Sequence, residues 1–264
     1  MEMIFKAIVL GIVEGVTEFL PVSSTGHLIL TGYIIGFSGP FSVIFYIIIQ
    51  LGAILAVVVY YKEKIIKSLH NVKPGEWGYK LWVQIIIAFI PSAFFGLIFN
   101  DIIEKYLFSA LTVSLALIVG AILILIVEKQ VSSARKDDIL SISPRESLLI
   151  GLAQCMSLFP GMSRSASTMI GGMLLGLSTK AAAEFSFFLA IPTMFAATGY
   201  SLLKGVSTMT SIEWISLAVG FIVSFLVAYI VVGKFITYIG NHSLKIFAYY
   251  RLIVGVIMLF VISN

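Results

Sequence analysis

The sequence predicts an all-α polytopic membrane protein. Six transmembrane helices and two re-entrant helix–loop–helix segments form an inverted-topology repeat, within one membrane domain over residues 1–264. Three observations predict this. Of the 264 residues, 59% are hydrophobic and 11% charged, with mean hydropathy +1.08, whereas about 25% of a soluble domain is charged. Several apolar runs reach the roughly 20 residues that cross a bilayer. Two other apolar stretches are broken at their centres by proline and serines, in EFLPVSSTGH (18–27) and LFPGMSRSAST (158–168).

The elements follow in chain order. Residues 3–36 are apolar but interrupted at Pro21, and neither half is long enough to span alone. A re-entrant hairpin fits if its tip is buried in protein or lines a wet cavity. Spans are expected at 41–60, 81–99 and 108–127. A second broken segment, 146–178, is interrupted at Pro160-Gly161, and spans at 183–203, 212–233 and 246–262 follow it. The N-terminus is not expected to be a secretory signal, because Glu2 offsets Lys6 and Glu14 interrupts the apolar stretch. A single cysteine, Cys155, excludes an intrachain disulfide.

The loops set the orientation. Loop 61–80 carries Lys62, Lys64, Lys67, Lys73 and Lys80. Loop 128–146 carries Lys129, Arg135, Lys136 and Arg145, and loop 234–245 carries Lys234 and Lys245. The alternate loops carry Lys105 and Lys204. The positive-inside rule places the rich loops in the cytoplasm and both termini outside. The net charge of +4 therefore reflects membrane topology and implies no nucleic-acid partner. His70 and His242 read as solvated loop residues, and Arg251 as snorkelling at the cytoplasmic end of the last span.

An internal repeat supports the inverted arrangement. GIVEGVTEFLPVSSTGHL (11–28) lies over GLAQCMSLFPGMSRSAST (151–168), pairing Gly11 with Gly151, Glu14 with Gln154, Phe19 with Phe159 and Ser23 with Ser163. The halves are 1–127 and 146–264. Each holds a broken segment and three spans, and an odd number of spans inverts the second half.

Ionisable groups at membrane depth are costly, so the few inside the broken segments are functional candidates. Glu14 and Glu18, spaced i, i+4, share a helix face. Two close carboxylates suit a hard divalent cation, Mg²⁺ or Ca²⁺; a shared proton or a pairing with Arg164 is the structural reading. Pro21 ends the first helix, and Ser23 or Ser24 can cap the next. The freed N–H groups of a helix start, with Thr25 in its first turn, suit phosphate. The second knot repeats the device with Ser163, Arg164, Ser165 and Ser167, and Arg164 adds a planar fork of donors. Ser24 and His27 stand about one helical turn apart. Either Ser24 attacks phosphorus with His27 as base, or His27 attacks directly. No GxxxxGK[ST], GxGxxG or Cys/His metal cluster competes.

EGVTEFLPVSSTGH together with PGMSRSAST resembles the undecaprenyl-diphosphate phosphatase family, also called bacitracin-resistance proteins. The resemblance covers essentially the whole chain. It implies hydrolysis of undecaprenyl diphosphate to undecaprenyl phosphate and inorganic phosphate, which recycles the lipid carrier for peptidoglycan. It implies that Glu14 and Glu18 form the acidic motif, Ser24, Thr25 and His27 the serine–histidine site, and Ser163 and Arg164 the phosphate-binding motif. A divalent cation, a homodimer and a bacterial inner-membrane location with the site open to the periplasmic face follow from the same resemblance and topology. Ala166 departs from the pattern, where many members carry glycine; only slightly tighter packing is expected. The competing expectation is a polyprenyl-phosphate transporter, since inverted repeats and broken helices also serve transport. Such a transporter would need Arg164 but no nucleophile.

Overall fold

The computed structural model describes residues 1–107, 109–130, 136–204 and 209–263. Arg135 and the side chains of Lys105 and Lys204, on which part of the charge asymmetry rests, lie outside that description.

The described residues are all-helical apart from one isolated bridge between Lys136 and Leu177. The first broken segment is α1 (Glu2–Thr17), a non-helical tip, and α2 (Ser24–Ile34). α3 (Pro40–Tyr60), α4 (Lys62–His70), α5 (Trp77–Tyr106) and α6 (Ala110–Gln130) follow. The second broken segment is α7 (Pro144–Gln154), a 3₁₀ turn at Cys155–Leu158, a tip, and α8 (Arg164–Leu174). α9 (Thr179–Lys204), α10 (Ser211–Ile239) and α11 (Lys245–Ser263) complete the chain.

Among the described residues, five helical stretches, Pro40–Tyr60, Trp77–Phe99, Ala110–Gln130, Thr179–Leu203 and Ser211–Ile239, are long and apolar enough to cross a membrane. The sixth expected span, 246–262, falls on α11, whose last side chains lie outside the description. At 1.5 Å per residue, the 16 residues of α1 and the 11 each of α2, α7 and α8 fall short of a hydrocarbon core about 30 Å thick. Large apolar side chains point outward along the long helices, among them Ile86, Ile90, Phe94 and Leu97 on α5 and Ile222, Leu226 and Ile230 on α10. Outward Ile and Leu at helical spacing suit a lipid surroundings. Loop 61–80 is not a plain loop: its first half forms α4, which ends at an exposed His70. His242 is exposed but held, with Nδ1 2.9 Å from the Tyr238 carbonyl and its ring stacked on Tyr238.

Local geometry repeats between the two broken segments. Ser23 and Ser163 are the described non-glycine residues with positive φ, at 73° and 72°. Each caps the helix that follows: the Ser23 hydroxyl accepts from Gly26 N and that of Ser163 from Ala166 N. Each of those helices then closes alike. Phe37 N donates to Gly32 O and Leu177 N to Gly172 O, past Gly36 and Gly176 at φ 64° and 89°. This closure needs a left-handed residue, which glycine supplies without strain.

Packing interleaves the halves. α1 lies on α10, and α7 lies on α5. Glycines permit the close approach. A Cβ on Gly11 would stand 2.7 Å from Gly220 O, and one on Gly151 would stand 2.3 Å from Ala88 O. The main apolar core, with Phe19, Ile54, Ile85, Met169, Phe187 and Phe188, joins both halves around the second tip. A smaller cluster joins α6 and α11 through Val113, Leu117 and Met258, with Ile29 and Leu30 of α2 against it.

Candidate active site

The two tips touch. The Ser165 hydroxyl, in the first turn of α8, donates to the Leu20 carbonyl of the first tip at 2.8 Å and lies 3.0 Å from the Ser163 hydroxyl. Glu18 Oε1 accepts from Arg164 Nη2 at 2.9 Å, and this ion pair is nearly removed from the surface, its side chains 5% and 9% exposed. Removing such a pair from water is costly unless its remaining lone pairs and N–H groups are also satisfied. Arg164 Nη1 donates to the carbonyl of Ser186 on α9 at 3.1 Å, and its guanidinium lies over the Phe19 ring. Thr168, one turn along α8, donates to the Ser186 hydroxyl at 2.6 Å and so steadies that partner. The second oxygen of Glu18, Oε2, accepts from Ser24 Oγ at 2.5 Å. One carboxylate thus joins the arginine of one tip to the serine of the other.

Glu14 stands one turn before Glu18, whose backbone N–H donates to the Glu14 carbonyl. Its side chain is fully buried, and neither carboxylate oxygen has a hydrogen-bond partner. In the second half, Gln154 holds the corresponding sequence position, and its amide donates to Ser92 at 2.5 Å. An orphaned buried carboxylate beside a second one fits a hard cation with oxygen ligands. No group of three or more His, Cys, Asp or Glu side chains stands with them among the described residues, so water or phosphate oxygens would complete the shell. Arg164 Nε is likewise buried and unpartnered.

The serine–histidine pair suggested by spacing does not form. His27 is buried, with Nδ1 2.8 Å from the Ser23 carbonyl and Nε2 2.7 Å from the Tyr250 hydroxyl. The reason is local. The left-handed Ser23 begins α2 in such a way that its carbonyl faces the imidazole, while Ser24 turns to Glu18. Thr25 lies half-buried in the first turn of α2, and Ser167 donates to the Ser163 carbonyl. Ala166 is buried, and its N–H is the one capped by Ser163.

Arg251 is the largest correction to the sequence reading. It does not snorkel; it is fully buried. Nη1 donates to Pro21 O and Met162 O, Nη2 to Gly161 O and Ala116 O, and Nε to Leu117 O, all at 2.9–3.2 Å. One guanidinium therefore binds the backbone of both tips to the middle of α6. Sequence reasoning also missed Tyr250 and Ser186, since a tyrosine or a serine inside an apolar helix carries no periodic signal.

Comparison with known proteins finds a family and close relatives. Residues 7–257 match the family described as bacitracin resistance protein BacA. A protein of Thermoanaerobacter sp. (strain X514) named undecaprenyl-diphosphatase is 61% identical, over 100% of this chain and 98% of its own. Proteins with the same name from Clostridium tetani and from Acinetobacter baumannii (strain ATCC 17978) are 49% and 45% identical. These matches cover 98% and 97% of this chain, and 96% and 94% of theirs.

Proposed function

From the premise that the chain belongs to the bacitracin resistance protein BacA family, we infer that it is an undecaprenyl-diphosphatase, a membrane hydrolase. It cleaves undecaprenyl diphosphate to undecaprenyl phosphate and inorganic phosphate, renews the lipid carrier for peptidoglycan synthesis and confers bacitracin resistance. The observation that carries the site reading is the Ser24–Glu18–Arg164 chain, which unites two tips 140 residues apart in sequence.

In this reading Arg164 and the N–H groups that open α2 and α8, around Thr25, Ser163 and Ser165, hold the terminal phosphoryl group. Phosphoryl transfer asks the protein mainly for position and charge stabilisation. Ser24 Oγ attacks the terminal phosphorus and passes its proton to Glu18, while the bond from that phosphorus to the bridging oxygen breaks. Undecaprenyl phosphate leaves with that oxygen. Water then attacks the phosphoserine, the proton returns from Glu18 to Ser24 Oγ, and inorganic phosphate departs. The hydrogen bond from Ser24 to Glu18 favours Ser24 over His27 as nucleophile, because both imidazole nitrogens are engaged elsewhere. Glu14 and Glu18 are the residues that would hold Mg²⁺ or Ca²⁺, which supplies Lewis-acid neutralisation of diphosphate charge when bound. His27, on α2, orients the first tip through the Ser23 carbonyl.

The finer architecture belongs to the same proposal: six crossings, two re-entrant tips, and halves 1–127 and 146–264 inverted relative to one another. The duplicated caps at Ser23 and Ser163 and the reciprocal seating of α1 on α10 and α7 on α5 support it. The lysine-rich loops favour a bacterial inner-membrane protein with its site open to the periplasmic face, and a homodimer follows the family pattern.

The test is phosphate release from a polyprenyl diphosphate by purified protein with Mg²⁺ or Ca²⁺. Release is expected. Wild-type protein that moves lipid between the leaflets of vesicles without releasing phosphate would refute hydrolysis in favour of transport.

A further inference from the structure

His27 is held from two sides, and the two contacts fix its protonation pattern. The atom facing Nδ1 is a backbone carbonyl, that of Ser23, at 2.8 Å. A carbonyl only accepts, so in the neutral ring Nδ1 carries the hydrogen and Nε2 the lone pair. The group facing Nε2 is the Tyr250 hydroxyl at 2.7 Å, which must then be the donor. The two rings also stack, with centroids 5.5 Å apart and planes 8° from parallel.

The helix that carries the tyrosine is firmly seated, although Tyr250 itself is 43% exposed. α11 begins against Glu128 at the end of α6, which accepts from Ser243 Oγ at 2.7 Å and from Leu244 N. Further along, Gly255 lets α11 approach closely, since a Cβ there would stand 3.1 Å from Ser114 O. Val254 and Met258 of α11 pack with Val113 and Leu117 of α6 and with Ile29 and Leu30 of α2. The neighbouring Arg251 grips both tips. Tyr250 is therefore carried by a helix fixed to the same tips that hold the serine and the arginine, and it reaches the histidine from 223 residues away in sequence.

We propose that Tyr250 is a positioning residue for the phosphatase reaction: its hydroxyl and ring hold His27 in the Nδ1–H tautomer and in the one orientation that fixes the Ser23 carbonyl at the first tip. The proposal rests on the reading that His27 serves the reaction, and it adds a residue from the last helix to a site otherwise built from the two tips and α9.

The test uses the purified full-length enzyme. Tyr250→Phe removes one oxygen and keeps the ring stack. Outer partners of metal-bound histidines typically contribute a factor of roughly ten to a hundred; at the lower end of that range for a histidine without metal, kcat should fall roughly tenfold while KM stays within about twofold. In a His27→Ala background the same change should cost less than about twofold, because the group it positions is gone. Imidazole ¹⁵N spectra give a readout that a general packing defect would not produce. The chain has 3 histidines, and Tyr250→Phe should move Nε2 of His27 toward the unbonded position while His70 and His242 stay put.

Unchanged kcat in Tyr250→Phe with an impaired His27→Ala overturns the proposal and leaves the role of His27 standing. A full additional loss in the His27→Ala background, or an unmoved His27 spectrum, overturns it as well. Wild-type kcat in His27→Ala overturns both the reading of His27 and the proposal.

Discussion

Gly120 is the position at which one methyl group should disturb the whole centre. A Cβ there would stand 2.0 Å from Arg251 Nη2 and 2.7 Å from Cζ. The guanidinium cannot step aside, because five carbonyls surround it and the side chain is fully buried. Gly120→Ala therefore forces Nη2 off its two acceptors, Gly161 O at 2.9 Å and Ala116 O at 3.2 Å. Each hydrogen bond to a charged group nets about 1.5–3 kcal/mol. Losing two costs about 3–6 kcal/mol, less whatever relaxation α6 permits. The assay is equilibrium unfolding of purified protein in mixed detergent micelles, repeated in an Arg251→Met background. Methionine is flexible enough to bend away from a new methyl, so Gly120→Ala should cost little there, with a coupling energy above about 1 kcal/mol between adjacent sites. An unchanged midpoint for Gly120→Ala, or equal costs in both backgrounds, would refute the clamp.

Three further predictions concern the site and its orientation. Ser24→Ala and Arg164→Ala should each lower kcat by at least about a thousandfold, since positioning and charge stabilisation carry phosphoryl transfer; phosphate release by the purified variants checks this. Glu14→Gln should leave the fold intact, because no hydrogen bond to either carboxylate oxygen is lost. It should also raise the Mg²⁺ or Ca²⁺ concentration needed for half-maximal activity, and EDTA should abolish wild-type activity; a metal titration reads both. A cysteine placed at Lys73 should resist an impermeant thiol reagent in intact cells and react after permeabilisation, and labelling in intact cells would reverse the orientation.

Much of the site was legible because charge and serine are conspicuous in a lipid-compatible chain. Glu14, Glu18 and Arg164 stood out by their cost, and Ser23 and Ser163 by following a proline. Both serines do cap helices in the structure. The helical ranges were also readable, since a long apolar run admits few alternatives. The direct Ser24–His27 contact was not legible, because spacing along a helix says nothing of the partners each side chain prefers: Ser24 turns to Glu18 and His27 to the Ser23 carbonyl and Tyr250. Arg251 misled for a different reason. Its acceptors are main-chain carbonyls 89 to 230 residues away, and every residue has a carbonyl, so no side-chain pattern could announce them. A basic residue near a span end reads as an interfacial anchor until the loops that surround it are seen.

The interleaved seating of the halves bears on how the chain is made. α1 leaves the ribosome before the surface cut to receive it, Gly220 on α10 opposite Gly11, about 200 residues later in the chain, has been made. Until α10 is made, α1 has mainly α2 and α3 to pack on. α7, by contrast, meets a finished seat on α5 as soon as it emerges. The order of assembly is therefore the reverse of the order of synthesis for the first tip. A nascent chain stopped at Gln130 would hold a complete acidic motif without the α10 seat on which α1 chiefly rests.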